Sequence, residues 1–150
     1  MKWPVAFLVL YFSITNFSSN AQCNNELIVN CISQKQNVTY LKEFIIRLPK
    51  ARKKKQDPRA LFSVMLNKGT NYHFNICNDT LNTQNIILKL YDDFKSYGGN
   101  IRDEKEYFSF DFKCRKTQVY YLVVTYNGNE GCGVVILSHA GTFNIYDRSL

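Results

Sequence analysis

The sequence runs to 150 residues with a net charge of +7, 45% hydrophobic and 15% aromatic residues, and only 3 prolines and 7 glycines. That is the composition of one folded domain, which excludes a disordered tail and argues against several domains. The charge is too modest for a dedicated nucleic-acid binder, and 2 histidines leave little material for metal or acid–base chemistry.

The chain opens with one positive charge in Met1-Lys2-Trp3-Pro4, an unbroken apolar run from Val5 to Phe12, and the small-x-small triplet Ser19-Asn20-Ala21. This pattern predicts a secretory signal peptide over residues 1–21, cleaved before Gln22. The apolar run is too short to span a bilayer, which takes roughly 20 apolar residues, and no later segment comes closer. The expectation is an exported product, periplasmic or extracellular, with no transmembrane segment after cleavage. Cys23 follows Gln22 where a bacterial lipidation motif requires a small residue, which argues against a lipid anchor.

Export makes the cysteines legible, because disulfides persist outside the reducing cytosol. Cys23, Cys31, Cys77, Cys114 and Cys132 all survive cleavage, and an odd number leaves at least one free or paired between molecules. They form no Cys-x-x-Cys pair, and neither His73 nor His139 stands at a zinc-like distance from one. Structural bridges are therefore expected, with no metal site and no cofactor.

Residues 22–39 read as an N-terminal extension and residues 40–150 as a single domain. No stretch sustains the 3.6-residue period of an amphipathic helix. Instead, β-branched and aromatic residues recur in short runs bounded by Gly, Asn and Asp. These runs are Tyr40 to Leu48, Ala60 to Leu66, Asn71 to Cys77, Asn85 to Tyr91, Tyr107 to Phe112, Gln118 to Tyr126 and Gly133 to Ser138. Alternation separates Tyr72, Phe74 and Ile76 from His73, Asn75 and Cys77, and Phe108, Phe110 and Phe112 from Ser109 and Asp111. Asn67-Lys68-Gly69 and the run from Asn127 to Gly131 carry residues that tolerate positive φ, which predicts that the strands flanking each form hairpins. Gln118 to Tyr126 is apolar on both faces and reads as a central strand covered on two sides. Seven to eight such strands predict an all-β, antiparallel β-sandwich.

The compositional outlier is the run from Lys50 to Arg59, in which Lys50, Arg52, Lys53, Lys54, Lys55 and Arg59 oppose the single acid Asp57. Between two strands it reads as an exposed loop and a candidate contact for a polyanion such as an acidic glycan or a lipid headgroup, with affinity that falls as salt rises. Nucleic acid is disfavoured because no aromatics are interleaved with these charges. Ten tyrosines, with Tyr120 and Tyr121 on opposite faces of one strand, offer a sugar-stacking platform if a ring is exposed.

Catalytic readings are weak. Ser138 and His139 are neighbours on a strand and point to opposite faces, so they cannot act as a nucleophile and its base. His73 shares a face with Cys77, but a thiol held in a disulfide is no nucleophile. Asp92-Asp93 and Asp103-Glu104-x-Glu106 flank one loop and could offer oxygens to Ca²⁺, yet Lys95, Arg102 and Lys105 are interleaved and no calcium-loop spacing occurs. Asn37-Val38-Thr39 and Asn78-Asp79-Thr80 match the N-glycosylation pattern, which has meaning only in a eukaryotic secretory pathway. The chain is expected not to be an enzyme.

Three stretches resemble the bacterial pre-peptidase C-terminal (PPC) domain and its small secreted relatives: Phe62 to Phe74, containing Leu66-Asn67-Lys68-Gly69-Thr70-Asn71-Tyr72-His73-Phe74; Ile87 to Asp93, containing Leu90-Tyr91-Asp92; and Lys116 to Val124, containing Tyr120-Tyr121. The match spans about Phe62 to Leu137, and where that family carries a glycine before the paired tyrosines this chain has Gln118. The resemblance implies a jelly-roll-like sandwich attached to, or secreted with, extracellular enzymes, which serves in attachment and not in turnover.

If successive strands from Asn71 onward alternate direction, Cys77 and Cys114 finish at one end of the sandwich and Cys132 opens the last strand at the other. A Cys77–Cys114 bridge is then predicted, with Cys132 left to pair with Cys31 or Cys23 or to stay a buried thiol. The functional expectation is an exported, non-catalytic module of the cell envelope or extracellular space that binds a carbohydrate or a companion protein. The alternative is a structural envelope protein assembled through its edge strands or its odd cysteine.

Overall fold

A computed structural model describes residues 25–49, 58–79, 85–126 and 131–144. Among these residues one helix, α1 (Asn25–Ser33), precedes ten strands: β1 (Thr39–Leu48), β2 (Arg59–Leu66), β3 (Thr70–Asn78), β4 (Ile86–Tyr91), β5 (Ser96–Gly99), β6 (Ile101–Arg102), β7 (Lys105–Glu106), β8 (Ser109–Cys114), β9 (Gln118–Tyr126) and β10 (Gly131–Thr142). The expected signal peptide lies outside the described residues, among which no helix is long and apolar enough to cross a membrane.

Two four-stranded antiparallel sheets carry the fold, in the orders β1-β10-β3-β8 and β2-β9-β4-β5, with β6 and β7 forming a separate hairpin. We call them sheets A and B. With that hairpin set aside, the chain passes from one sheet to the other at every step except β4 to β5, which is the double-sheet jelly-roll arrangement. The expected all-β sandwich is thus observed, with ten strands in place of seven to eight.

The inward rows of both sheets form one core. Phe44, Ile46, Phe74, Ile76, Phe110 and Phe112 from sheet A meet Leu66, Leu88, Leu90, Tyr120, Leu122 and Val124 from sheet B, all buried. Phe112 and Tyr97 sit edge-on to Tyr120 at centroid distances of 5.2 and 5.3 Å, a geometry that suits the quadrupoles of the rings. Phe108, grouped by alternation with Phe110 and Phe112, instead precedes β8 and is 67% exposed.

Four expectations are corrected. The strands that flank 67–69 and those that flank 127–131 are not hairpin pairs, because β2 and β9 belong to sheet B while β3 and β10 belong to sheet A. Gly69 (φ 84°) makes the first of these crossings, donating its N–H to the Cys114 carbonyl at 2.8 Å.

A helix is present where none was expected. Leu27, Ile28, Cys31 and Ile32 recur at helical spacing and pack with Cys77, Val134 and Ile136 on the outer face of sheet A. That cover makes β10, and not β9, the strand buried on both sides: every residue from Cys132 to Ser138 is buried.

The disulfide is Cys31–Cys77, with a Cα–Cα distance of 5.8 Å, and Cys114 is a buried free thiol. The Cys77–Cys114 expectation fails on parity. The short strand β5 is absent from the sequence reading, and it reverses every later strand. β8 therefore runs antiparallel to β3 with Cys114 opposite Thr70, at the far end from Cys77. Cys132 is also held in a disulfide. Its partner is not Cys31, and Cys23 lies outside the described residues.

Candidate functional site

The two outer faces of the sandwich differ. Sheet A is roofed by α1, whereas among the described residues nothing packs on the outer face of sheet B. The alternation of β2, β9 and β4 turns one row of each strand to this face, and the register aligns the rows across it. Arg59, Thr125 and Ile87 form one transverse line, Leu61, Val123 and Lys89 the next, and Ser63, Tyr121, Tyr91 and Ser96 a third. Met65 and Val119 close the face at its far end. Leu61 is 63% exposed, Met65 58% and Val119 40%, while Tyr91 and Tyr121 are half-buried. β9 is interior in its sheet by hydrogen bonding yet packs on one side only, which corrects the reading of it as covered twice.

The third line is an aromatic pair on neighbouring strands with a hydroxyl side chain at either end. Lys89 and Arg59, both exposed, are the charged residues of these lines, and no carboxylate stands in them. The face is therefore mildly positive, with apolar rings available for stacking and hydroxyl and ammonium donors beside them.

At its border Asp92 organises the β4–β5 turn. One carboxylate oxygen accepts the N–H groups of Phe94 (2.9 Å) and Lys95 (2.8 Å), and the other accepts the Tyr97 hydroxyl (2.6 Å) and the Gln118 amide (2.9 Å). The Tyr97 hydrogen bond, reinforced by those backbone donors, holds the Asp92 carboxyl well below the usual carboxylate range. The same contact raises the Tyr97 phenol, since ionising it would set two negative charges together. Beneath the face, burial first and then the hydrogen bond with Cys114 push the Tyr120 phenol upward. Tyr120 donates to the Lys116 carbonyl at 2.9 Å and is 1% exposed, so of the adjacent tyrosines only Tyr121 serves the surface.

The residues singled out in sequence are scattered. Lys50, Arg52, Lys53, Lys54 and Lys55 lie outside the described residues; Arg59, the last basic residue of that run, is exposed and opens β2 on the outer face of sheet B. Asp103 and Glu104 form the β6–β7 turn, both at positive φ (49° and 61°), and Glu106 accepts a hydrogen bond from the Asn85 amide. With Asp92 fully engaged, these carboxylates do not converge, and no cluster of three metal-ligating side chains occurs among the described residues.

His73 is 2% exposed, with Nδ1 2.6 Å from the Asp111 carboxylate. Asn75 beside it donates to the Cys31 carbonyl at 2.8 Å, so this row ties sheet A to α1 and offers no open nucleophile. The His139 ring accepts the Gly141 N–H at 3.3 Å on β10.

Sequence reasoning did not assemble the Tyr91–Tyr121 line. The signal was present in the alternation of two apolar strands, but joining them requires the pairing of β4 with β9. No family model matches the chain, and no curated protein matches it.

Proposed function

We propose that the chain is an exported, non-catalytic docking module that lays an anionic carbohydrate across the outer face of sheet B. The observation that carries this reading is the transverse line of Tyr91 and Tyr121 flanked by Ser63 and Ser96, beside lines that hold Lys89 and Arg59, with no carboxylate among the described residues of these lines. Tyrosine rings give a sugar an apolar plane and a polar handle together. Arg59, the last residue of the basic run that starts at Lys50, opens β2 on that face, and an acidic ligand would gain from these charges at low salt. The disulfide supports an oxidising compartment. The PPC-like stretches point the same way, since that resemblance implies attachment.

The test is a glycan array probed at low and high salt with residues 22–150 and three variants: Tyr91→Ala with Tyr121→Ala, Arg59→Ser with Lys89→Ser, and Arg52, Lys53, Lys54 and Lys55 each changed to Ser. Salt-sensitive binding to acidic glycans that the tyrosine variant abolishes and the charge variants weaken is the expected result. Binding that ignores the tyrosine variant would move the ligand off this face. No glycan binding at either salt would reject the carbohydrate and leave a companion protein as the ligand.

A further inference from the structure

We propose that the chain forms a two-fold symmetric dimer by antiparallel addition of β1 to β1 of a second copy, in a register centred on Ile45. β1 is an edge strand of sheet A, paired on one side with β10 and with no other described strand on the other. Edge strands are normally guarded against such pairing by bulges, prolines and inward charges. Here the guards sit at the two ends of the strand, where Lys42 is the one charge on the inward row and lies over the Phe44 ring. The register slips between Tyr40 and Lys42, and Pro49 follows the last residue. The run from Lys42 to Leu48 lies between them, and its midpoint is Ile45.

Charge selects the same register independently. The outward row of this run is Glu43, Ile45 and Arg47, and no ion pair among the described residues involves either charge. Four residues along a strand set them roughly 13 Å apart, too far to neutralise each other. A two-fold axis through Ile45 places Glu43 opposite the partner's Arg47 and Arg47 opposite the partner's Glu43. Moving the axis to Glu43 or to Arg47 sets like charges face to face, and moving it to Phe44 or Ile46 takes Glu43 and Arg47 out of register with each other; on the inward row the Ile45 axis brings Lys42, whose ammonium lies over its own Phe44 ring, beside the partner's Leu48 at the end of the contact. The row is complementary to itself in one register only, as an isologous contact requires.

Apolar surface beside this edge supplies the drive. Between β1 and β2 runs an open groove of about 460 Å³, floored by the Phe44 and Phe62 rings 5.2 Å apart, walled by Ile45 and Leu61, and edged by Lys42, Glu43 and Ser63. Ile45 is 39% exposed and Leu61 63%. α1 packs over Val134 and Ile136 of β10 and Cys77 of β3, so it leaves the outward side of β1 clear for a second sheet.

The experiment uses the exported protein with its disulfides intact and reads mass by sedimentation equilibrium. The wild type is expected to be dimeric. Glu43→Arg leaves four positive charges at the contact and Arg47→Glu four negative, so each variant alone is expected to dissociate roughly ten- to a hundredfold more readily. Mixing the two variants places every arginine opposite a glutamate, and the mixture is expected to recover the dimer. Because recovery requires both variants folded, it separates loss of contact from loss of fold. An Ile45→Cys variant, in which each new thiol faces its own copy, is expected to give a covalent dimer under mild oxidation. A monomeric wild type would overturn the proposal, as would a dimer indifferent to both charge reversals or a mixture no more dimeric than its components.

Discussion

Replacing both Cys31 and Cys77 with Ala tests how α1 is held. The two cysteines are 46 residues apart. In the chain-entropy account a loop of that length, when opened, frees the unfolded chain by about 4 kcal/mol at 25 °C. The figure is an upper bound, because the disulfide that holds Cys132 stays in both proteins and already restricts the unfolded chain. A nine-residue helix has no stability of its own in water, so α1 persists only by docking Leu27, Ile28 and Ile32 on Val134 and Ile136. Urea unfolding of the double variant is expected to show a midpoint lower by roughly 1 to 2 M and a somewhat steeper slope, because the opened chain exposes more surface when unfolded. Hydrogen exchange should show residues 25–33 losing protection before β10 does. A midpoint shift below about 0.3 M, or an α1 as protected as β10 in the variant, would refute the tether reasoning.

Three further outcomes follow from single groups. Cys114 is fully buried and donates to the Lys116 carbonyl at 3.2 Å, so it should ignore a thiol reagent in the native protein and react once guanidinium unfolds the chain. Asp92 has its carboxyl pKa lowered from an ordinary 3.8, chiefly by the Tyr97 hydroxyl and then by the Phe94 N–H. A folded-state value below the unfolded one adds stability that is present above the unfolded value and lost as pH falls through the folded one. Thermal unfolding should therefore show the wild type losing more between about pH 5 and pH 2 than Asp92→Asn does, and parallel curves would contradict the assignment. The Tyr126 hydroxyl is buried with no hydrogen-bond partner among the described residues, and burial followed by the charge of Asp79 raises its phenol. Tyr126→Phe should thus leave stability unchanged or raise it by about 1 kcal/mol in chemical denaturation, and a loss of that size would show that the hydroxyl is in fact satisfied.

What the sequence disclosed and what it concealed divide along physical lines. Strands long enough to alternate were legible: seven runs became β1, β2, β3, β4, β8, β9 and β10 with ends displaced by at most a few residues. β5 was not, because Ser96-Tyr97-Gly98-Gly99 has no alternation and two glycines, and only its pairing with Lys89 to Tyr91 makes it a strand. Asn100 extends that pairing with its side chain, accepting the Leu88 N–H and donating to the Ile86 and Tyr107 carbonyls, a role no local pattern announces. The omission of one short strand reversed the parity of all later ones, and with it the disulfide. The proposed docking face was less legible: alternation puts Tyr120 and Tyr121 on opposite faces of one strand without saying which is outward, and Tyr91 comes from a strand some 30 residues earlier and meets Tyr121 only through the jelly-roll crossing. Nothing local distinguishes the outer face that α1 covers from the one it leaves bare.

The two proposed surfaces are compatible, and their geometry has a consequence for affinity. The docking face is the outer side of sheet B, whereas the β1 edge belongs to sheet A. A two-fold axis through Ile45 and normal to sheet A preserves the direction of every face, so both copies of the Tyr91–Tyr121 line point to the same side of the dimer. A ligand presented densely on a surface would then be held at two points. Once one copy is bound the second meets its ligand at high effective concentration, and avidity rises by roughly 10²- to 10⁴-fold with no new contact. Glu43→Arg leaves Tyr91, Tyr121, Lys89 and Arg59 untouched. It should therefore keep wild-type affinity for a soluble monovalent glycan while its retention on an immobilised dense glycan falls by about two orders of magnitude. Measured by surface resonance at low and high ligand density, equal losses at both densities would place Glu43 in the docking contact itself, and equal retention at both would mean that the two faces do not share a side.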